Sequence, residues 1–107
     1  LKPAGVLRID AGAVAALQRG RSLLPAGVVH VTGSFERGDA VDVADSDGQV
    51  IARGLAAYSS ADVSRFMGRR SNEIERLVGF RGRDEIVHRD DLVVRAGAKD
   101  AAVAISS

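Results

Sequence analysis

Glycines at the ends of short apolar segments are the feature that most restricts how this chain folds. The 107 residues include 12 glycines, and the strands predicted between glycine turns are short. Val6–Asp10, Val28–Thr32 and Ala40–Asp45 have the composition and patterning of short strands. The sequence therefore predicts a mostly β fold with short helices, a small closed or half-open barrel rather than a doubly wound sheet.

A hairpin is predicted in the middle of the chain. Asp47-Gly48 precedes a return strand over Gln49–Tyr58, and Asp-Gly favours the tight turns that match strand twist. Gly54 within the return strand indicates a bulge or a close contact with another segment. Two final strands are predicted, at Glu85–His88 and Leu92–Arg95.

Period-two alternation assigns side chains of the hairpin to two faces. Val41 and Val43 are expected to face the core, and Asp42 between them is expected to face solvent. Phe35 and Phe66 are the aromatic residues expected in the core.

Three short helices are predicted from capping residues and glycine stops. Asp10 caps the first helix, which runs from Ala11 to Arg19 and ends before Gly20. The second begins after Ser59 and ends at Gly68, and the third covers Asn72–Val78 between a Ser71 cap and Gly79.

Composition indicates one globular domain and limits its chemistry. The net charge is +1 and cysteine is absent, so no disulfide framework or thiolate metal site is expected. No apolar run approaches the ~20 residues of a membrane span, and the sequence predicts a cytoplasmic protein without a membrane partner.

No catalytic residue and no metal ligand is assigned from the sequence. His88-Arg89-Asp90 resembles the protein-kinase catalytic triplet, but Arg95 stands where that motif requires Asn. Serines lie in capping or turn positions rather than in a nucleophile elbow. Two histidines and no cysteine are too few of the usual ligands to indicate a metal site.

Arginine dominates the basic residues, and only Lys2 and Lys99 are lysines. Arginine suits phosphate and base contacts, so contact with RNA is a hypothesis that the sequence supports. Few aromatic side chains are available to stack bases, which makes a protein partner the favoured interpretation.

The order of motifs resembles that of PUA domains, and in detail the one at the C-terminal end of bacterial glutamate 5-kinases. The resemblance covers about residues 5 to 93. It is carried by Ile9-Asp10-x-Gly12-Ala13-x-x-Ala16-Leu17, Ser22-Leu23-Leu24-Pro25-x-Gly27-Val28, Thr32-Gly33-x-Phe35-x-x-Gly38-Asp39, Ile51-Ala52-Arg53-Gly54-Leu55 and Val87-His88-Arg89-Asp90-Asp91-Leu92.

This resemblance implies a PUA-like pseudo-barrel and a particular division of the chain. Residues 1–4 would be a linker from an absent upstream amino-acid-kinase domain, 5–95 the PUA domain, and 96–107 a flexible tail. The parent enzyme would phosphorylate glutamate with ATP and Mg²⁺ in proline synthesis, while this fragment would hold no cofactor. Its own role would be regulation or assembly through the upstream domain or neighbouring subunits.

The resemblance also implies where RNA would bind if the module served an RNA-modifying enzyme or a translation factor, which is the alternative function. That surface would include Gly12, Arg19, Arg21 and Arg53. A stand-alone interaction domain with neither role is the third hypothesis.

Overall fold

The computed structural model describes residues 2–79 and 83–94. Within these ranges the strands are β1 (Gly5–Ile9), β2 (Val28–Gly33), β3 (Ala40–Ala44), β4 (Val50–Leu55) and β5 (Leu92–Val94). The helices are α1 (Ala11–Gln18), α2 (Ser60–Phe66) and α3 (Ile74–Val78), and single 3-10 turns lie at Pro25–Gly27, Ser71–Glu73 and Arg89–Asp91.

The five strands form one mixed sheet in the order β2-β1-β3-β4-β5. β1 is antiparallel to β2 and parallel to β3, whereas β3–β4 and β4–β5 are antiparallel. The mostly β class with short helices is therefore confirmed. In the described residues the sheet stays open, with β2 and β5 at its edges, and does not close into a barrel.

One face of the sheet carries the core. Leu7, Val41 and Val43 point into it and are fully buried. The helices and the segment before β5 cover this face, supplying Leu17, Val63, Phe66, Ile74, Ile86 and Val87. Phe35 and Phe66 lie in the core as predicted. The ring of Tyr58 meets that of Phe66 edge-on, with centroids 4.8 Å apart.

The predicted hairpin is confirmed. Its turn is longer than a two-residue hairpin turn. The Gly48 amide donates to the Asp45 carbonyl at 3.0 Å, and Gly48 adopts φ 84°, a conformation that favours glycine. The Asp45 carboxylate accepts from the amides of Asp47 and Gln49. The return strand ends at Leu55 rather than at Tyr58.

Three further local predictions are wrong. Glu85–His88 is no strand, because only the isolated bridge Leu23–Val87 forms there. Ser71 does not cap a helix over Asn72–Val78, since its hydroxyl donates to the Asp84 carbonyl and a 3-10 turn precedes α3.

Asp42 is the third correction, since it is buried rather than solvent-facing, with 8% of its surface exposed. It lies on the face away from the core, as the alternation requires, but Arg53 of the adjacent strand bonds to it there.

Gly54 lies where another segment of the chain packs closely against β4. A Cβ on Gly54 would lie 2.6 Å from Val87 Cγ1 and 2.8 Å from the Asp91 carbonyl oxygen. The close contact predicted at Gly54 is thus confirmed, and it brings the segment before β5 onto β4. The predicted tail, 96–107, lies outside the described residues.

Candidate functional site

A cleft of about 730 Å³ opens beside α1. One wall is formed by α1 and its cap, and the other is formed by the chain around Pro25 and the segment before β5. It is lined by Asp10, Gly12, Ala13, Ala16, Arg21, Ser22, Leu24, Ala26, Gly27, Glu85, His88 and Arg89.

Two distant segments meet to build the second wall. The Leu23 amide donates to the Val87 carbonyl at 2.9 Å, and the Ile86 amide donates to the Leu23 carbonyl at 2.8 Å. The Ser22 hydroxyl accepts from the Arg89 amide at 2.8 Å. The Ser-Leu-Leu-Pro and His-Arg-Asp-Asp motifs are therefore adjacent in space and hold one another in place.

The start of α1 forms the first wall. Asp10 caps the helix as predicted, since its Oδ1 accepts from the Ala13 amide at 2.8 Å. Gly27 packs so tightly on α1 that an added Cβ would lie 2.6 Å from Ala13 Cβ. A Cβ on Gly12 would meet only Asp10 Oδ1, at 3.5 Å, so Gly12 leaves room on the cleft side for an outside group.

The charges of the cleft are mixed rather than uniformly basic. Arg21 and Arg89 are exposed and make no ion pair within the described part of the chain. Asp10 and Glu85 oppose them with two carboxylates. This balance favours a ligand with polar groups of both kinds over a dense polyanion.

His88 is held in one tautomer by the turn that follows it. Its Nδ1 accepts from the Asp90 amide at 3.1 Å, so in the neutral ring the proton resides on Nε2. Its side chain is 29% exposed. His88 is therefore a capping residue that also lines the cleft.

Arg53 lies outside the cleft, on the outer face of the sheet, which is the face away from the core. Its Nε donates to Asp42 Oδ1 at 2.7 Å. This hydrogen bond and the charge of Asp42 raise the pKa of Arg53 above its ordinary value. The guanidinium is thus paired with a carboxylate, which opposes the phosphate contact suggested for it.

The structure therefore separates the four residues suggested for RNA contact. Gly12 and Arg21 both line the cleft. Arg19 is exposed at the end of α1, where its amide bonds to the Ala15 and Ala16 carbonyls, and it does not line the cleft. Arg53 lies on the opposite side of the sheet.

Sequence reasoning missed several cleft residues. Ser22 and Arg89 are 67 positions apart, and no local pattern predicts that they touch. The family resemblance could have indicated this contact, because the Ser-Leu-Leu-Pro and His-Arg-Asp-Asp motifs that carried it both contribute residues to this wall.

Within residues 2–79 and 83–94, no group of three His, Asp or Glu side chains is placed to hold a metal ion. None of the helices described there is long and apolar enough to cross a membrane.

Sequence comparisons identify close relatives. The chain is 61% identical over 94 residues to the glutamate 5-kinase of Paramagnetospirillum magneticum, covering 88% of this chain and 25% of that protein. It is 56% identical over 102 residues to that of Nitrobacter winogradskyi, covering 95% and 27%. The chain thus spans about a quarter of the length of these curated relatives, and the similarity falls in their C-terminal region.

Structural comparisons agree on the fold. A PUA domain from Aeropyrum pernix K1, solved as a tartrate complex, superposes with a TM-score of 0.62 at 26% identity, covering 95% of this chain and 48% of that one. The archaeal box H/ACA sRNP Nop10–Cbf5 complex contains a chain that matches with a TM-score of 0.54 at 25% identity, covering 81% and 26%.

The family model of the PUA domain matches residues 5–78, a range that includes α1 and four of the five strands. Together with the similarity to the C-terminal regions of the kinases, this match shows that the chain belongs to the PUA-domain family.

Proposed function

We propose that this chain is the non-catalytic C-terminal PUA domain of a glutamate 5-kinase and that it influences the assembly or feedback control of that enzyme. The observation that carries the proposal is 56–61% identity across most of the chain to proteins of that name. The parent would transfer a phosphoryl group from ATP to the γ-carboxyl of glutamate in the cytoplasm, as the first step of proline synthesis.

The chemistry is assigned to an upstream domain because the relatives are about four times as long as the region they share with this chain. ATP and Mg²⁺ would be held there. The cleft supports this division, since His88 Nδ1 and Asp10 are both engaged in capping. We assign no catalytic residue to the module.

Truncation of the full-length enzyme tests the proposal. We expect an enzyme lacking residues 5–107 of this numbering to retain ATP-dependent formation of glutamyl phosphate. Its oligomer mass by light scattering, or its inhibition by proline, is expected to change. Unchanged mass together with unchanged inhibition contradicts a regulatory or assembly role, and glutamyl phosphate formation by the isolated module contradicts the non-catalytic assignment.

RNA binding is the second candidate function. The exposed Arg21 and Arg89 in the cleft favour it, whereas the carboxylates of Asp10 and Glu85 there oppose it. Gly12 leaves an open approach beside the exposed Arg21 and Arg89. A chain 25% identical to this one belongs to a box H/ACA sRNP protein complex. The module would then contact phosphates through the two arginines.

A salt series with a structured RNA tests this candidate. Binding through phosphates weakens steeply between about 50 and 200 mM salt. Arg21→Ala is expected to lower the affinity and reduce the salt slope by about one unit. Arg76→Ala is the matched control, because Arg76 is also exposed but pairs with Glu73. Absence of binding at low salt, or equal loss in both variants, contradicts the cleft as an RNA site.

A further inference from the structure

The outer face of the sheet holds a second concavity, separate from the cleft. A shallow depression of about 490 Å³ is lined by Asp42, Val50, Ala52, Arg53 and Val93. Strand register explains this grouping, because Arg53 is paired with Asp42 on one side and with Val93 on the other. The helices lie on the core face, so no described helix covers this depression.

Exposed apolar side chains flank the ion pair in the depression. Val93 is 74% exposed and Leu55 is 47% exposed. Both side chains point away from the core. Their chain neighbours Gly54 and Leu92 are paired across β4 and β5 and lie on the core face, and side chains alternate between the two faces of a strand. We define the outer patch as Asp42, Val50, Arg53, Leu55 and Val93.

The composition of the outer patch fits a protein surface rather than a nucleic acid. Its ion pair between Arg53 and Asp42 joins opposite charges at 2.7 Å. The remaining side chains are aliphatic, and contiguous exposed apolar area marks interaction sites. A compensated charge among aliphatic groups is typical of an interface between protein domains.

The polypeptide enters the module beside this patch. The Ala4 amide donates to the Ala40 carbonyl at 2.8 Å, and Ala40 is paired with Leu55 on the next strand. Two strand spacings amount to about 10 Å. A domain that precedes this module would therefore be tethered close to Leu55. A short tether gives such a domain a high effective concentration at the outer patch.

We propose that the outer patch packs against the domain that precedes this module in the full-length protein. This inference rests on the proposed function, in which relatives about four times as long carry this module in their C-terminal region. It leaves the cleft beside α1 uncovered, because the cleft lies on the side of the sheet that carries the helices.

Cysteine labelling of the full-length protein tests the proposal. The module has no cysteine, so single cysteines are introduced into a full-length background whose other cysteines are replaced. The variants are Val93→Cys and Leu55→Cys on the patch, with Leu24→Cys and Val29→Cys as controls of 49% and 52% exposure elsewhere. All four sites are exposed in the module, so the substitutions leave its core intact.

We expect a thiol reagent to modify positions 93 and 55 about tenfold or more slowly than positions 24 and 29, as buried sites react only on local opening. Equal rates at all four positions overturn the proposal. Protection that disappears when residues 95–107 are deleted also overturns it, because the tail would then be the cover. Protection that survives this deletion supports it.

Failure of the proposed function has a different signature. A full-length protein that forms no glutamyl phosphate from ATP and glutamate contradicts the kinase assignment whatever the labelling rates. Active kinase with a fully reactive Val93→Cys contradicts only the packing of the outer patch.

Discussion

The cleft beside α1 and the outer patch show how the same residue type acquires different properties on the two sides of one sheet. Arg21 and Arg53 are both arginines close to glycines in the sequence. Arg21 lines the cleft without an ion pair in the described residues, whereas Arg53 is hydrogen-bonded to Asp42 on the neighbouring strand. The comparison teaches that cross-strand pairing, rather than residue type, decides which cation is available to an anion.

Gly54 lies on β4 between two residues of the outer patch and packs against the segment that forms a wall of the cleft. Its replacement has the largest expected effect on stability. Gly54→Ala places a methyl group within 3 Å of Val87 Cγ1 and of the Asp91 carbonyl. Overpacking of this kind costs about 1–3 kcal/mol of unfolding free energy, measured by urea denaturation. If the variant unfolds at the wild-type urea concentration, the segment before β5 is not anchored on β4, and the cleft wall is independent of the sheet.

Removal of the arginine is expected to affect stability in the outer patch but not in the cleft. Arg53→Met leaves the buried Asp42 carboxylate without its guanidinium partner. Because the Arg53 side chain is half exposed and solvent screens the pair, stability falls by less than in Gly54→Ala. Arg21→Met is the matched control and is expected to leave the thermal midpoint unchanged. The double variant Asp42→Asn with Arg53→Met recovers part of the loss, and equal midpoints for Arg53→Met and Arg21→Met would remove the distinction.

Asp10 sharpens the description of the cleft. Asp10→Ala removes the side-chain acceptor of the Ala13 amide and is expected to lower the unfolding free energy by about 1 kcal/mol. Asp10→Asn keeps the cap while removing one carboxylate from the cleft. Chemical denaturation of both variants checks this, and a loss in Asp10→Asn as large as in Asp10→Ala would assign the effect to charge.

The smallest effect is expected at Gly12. An added Cβ meets only Asp10 Oδ1 at 3.5 Å, and alanine favours the helix over glycine by up to about 1 kcal/mol. Gly12→Ala should therefore raise the denaturation midpoint slightly while reducing any binding in the cleft. Destabilisation, in contrast, would show that α1 is packed more tightly there than its open surroundings indicate.

Local signals account for most of the fold that the sequence predicts. The Asp10 cap, the Asp47-Gly48 turn and the close contact at Gly54 depend on neighbouring residues or on the absence of a side chain, and all three are found. Glu85–His88 fails because strand patterning does not supply a partner strand, and only one bridge forms. Ser71 fails because its hydroxyl finds a carbonyl 13 residues away.

The sequence by itself determined the mostly β class, the ends of α1 and the motifs that indicated the family, because each depends on short-range backbone preferences or on residue order. Only the tertiary structure decided that Ser22 meets Arg89 to build the cleft, and that Asp42 is buried beneath Arg53 on the other side of the sheet. Those contacts depend on strand order and register, which set distances between residues far apart in the chain. The four residues suggested for one RNA surface lie in three places, the cleft, the end of α1 and the outer face of the sheet, for the same reason.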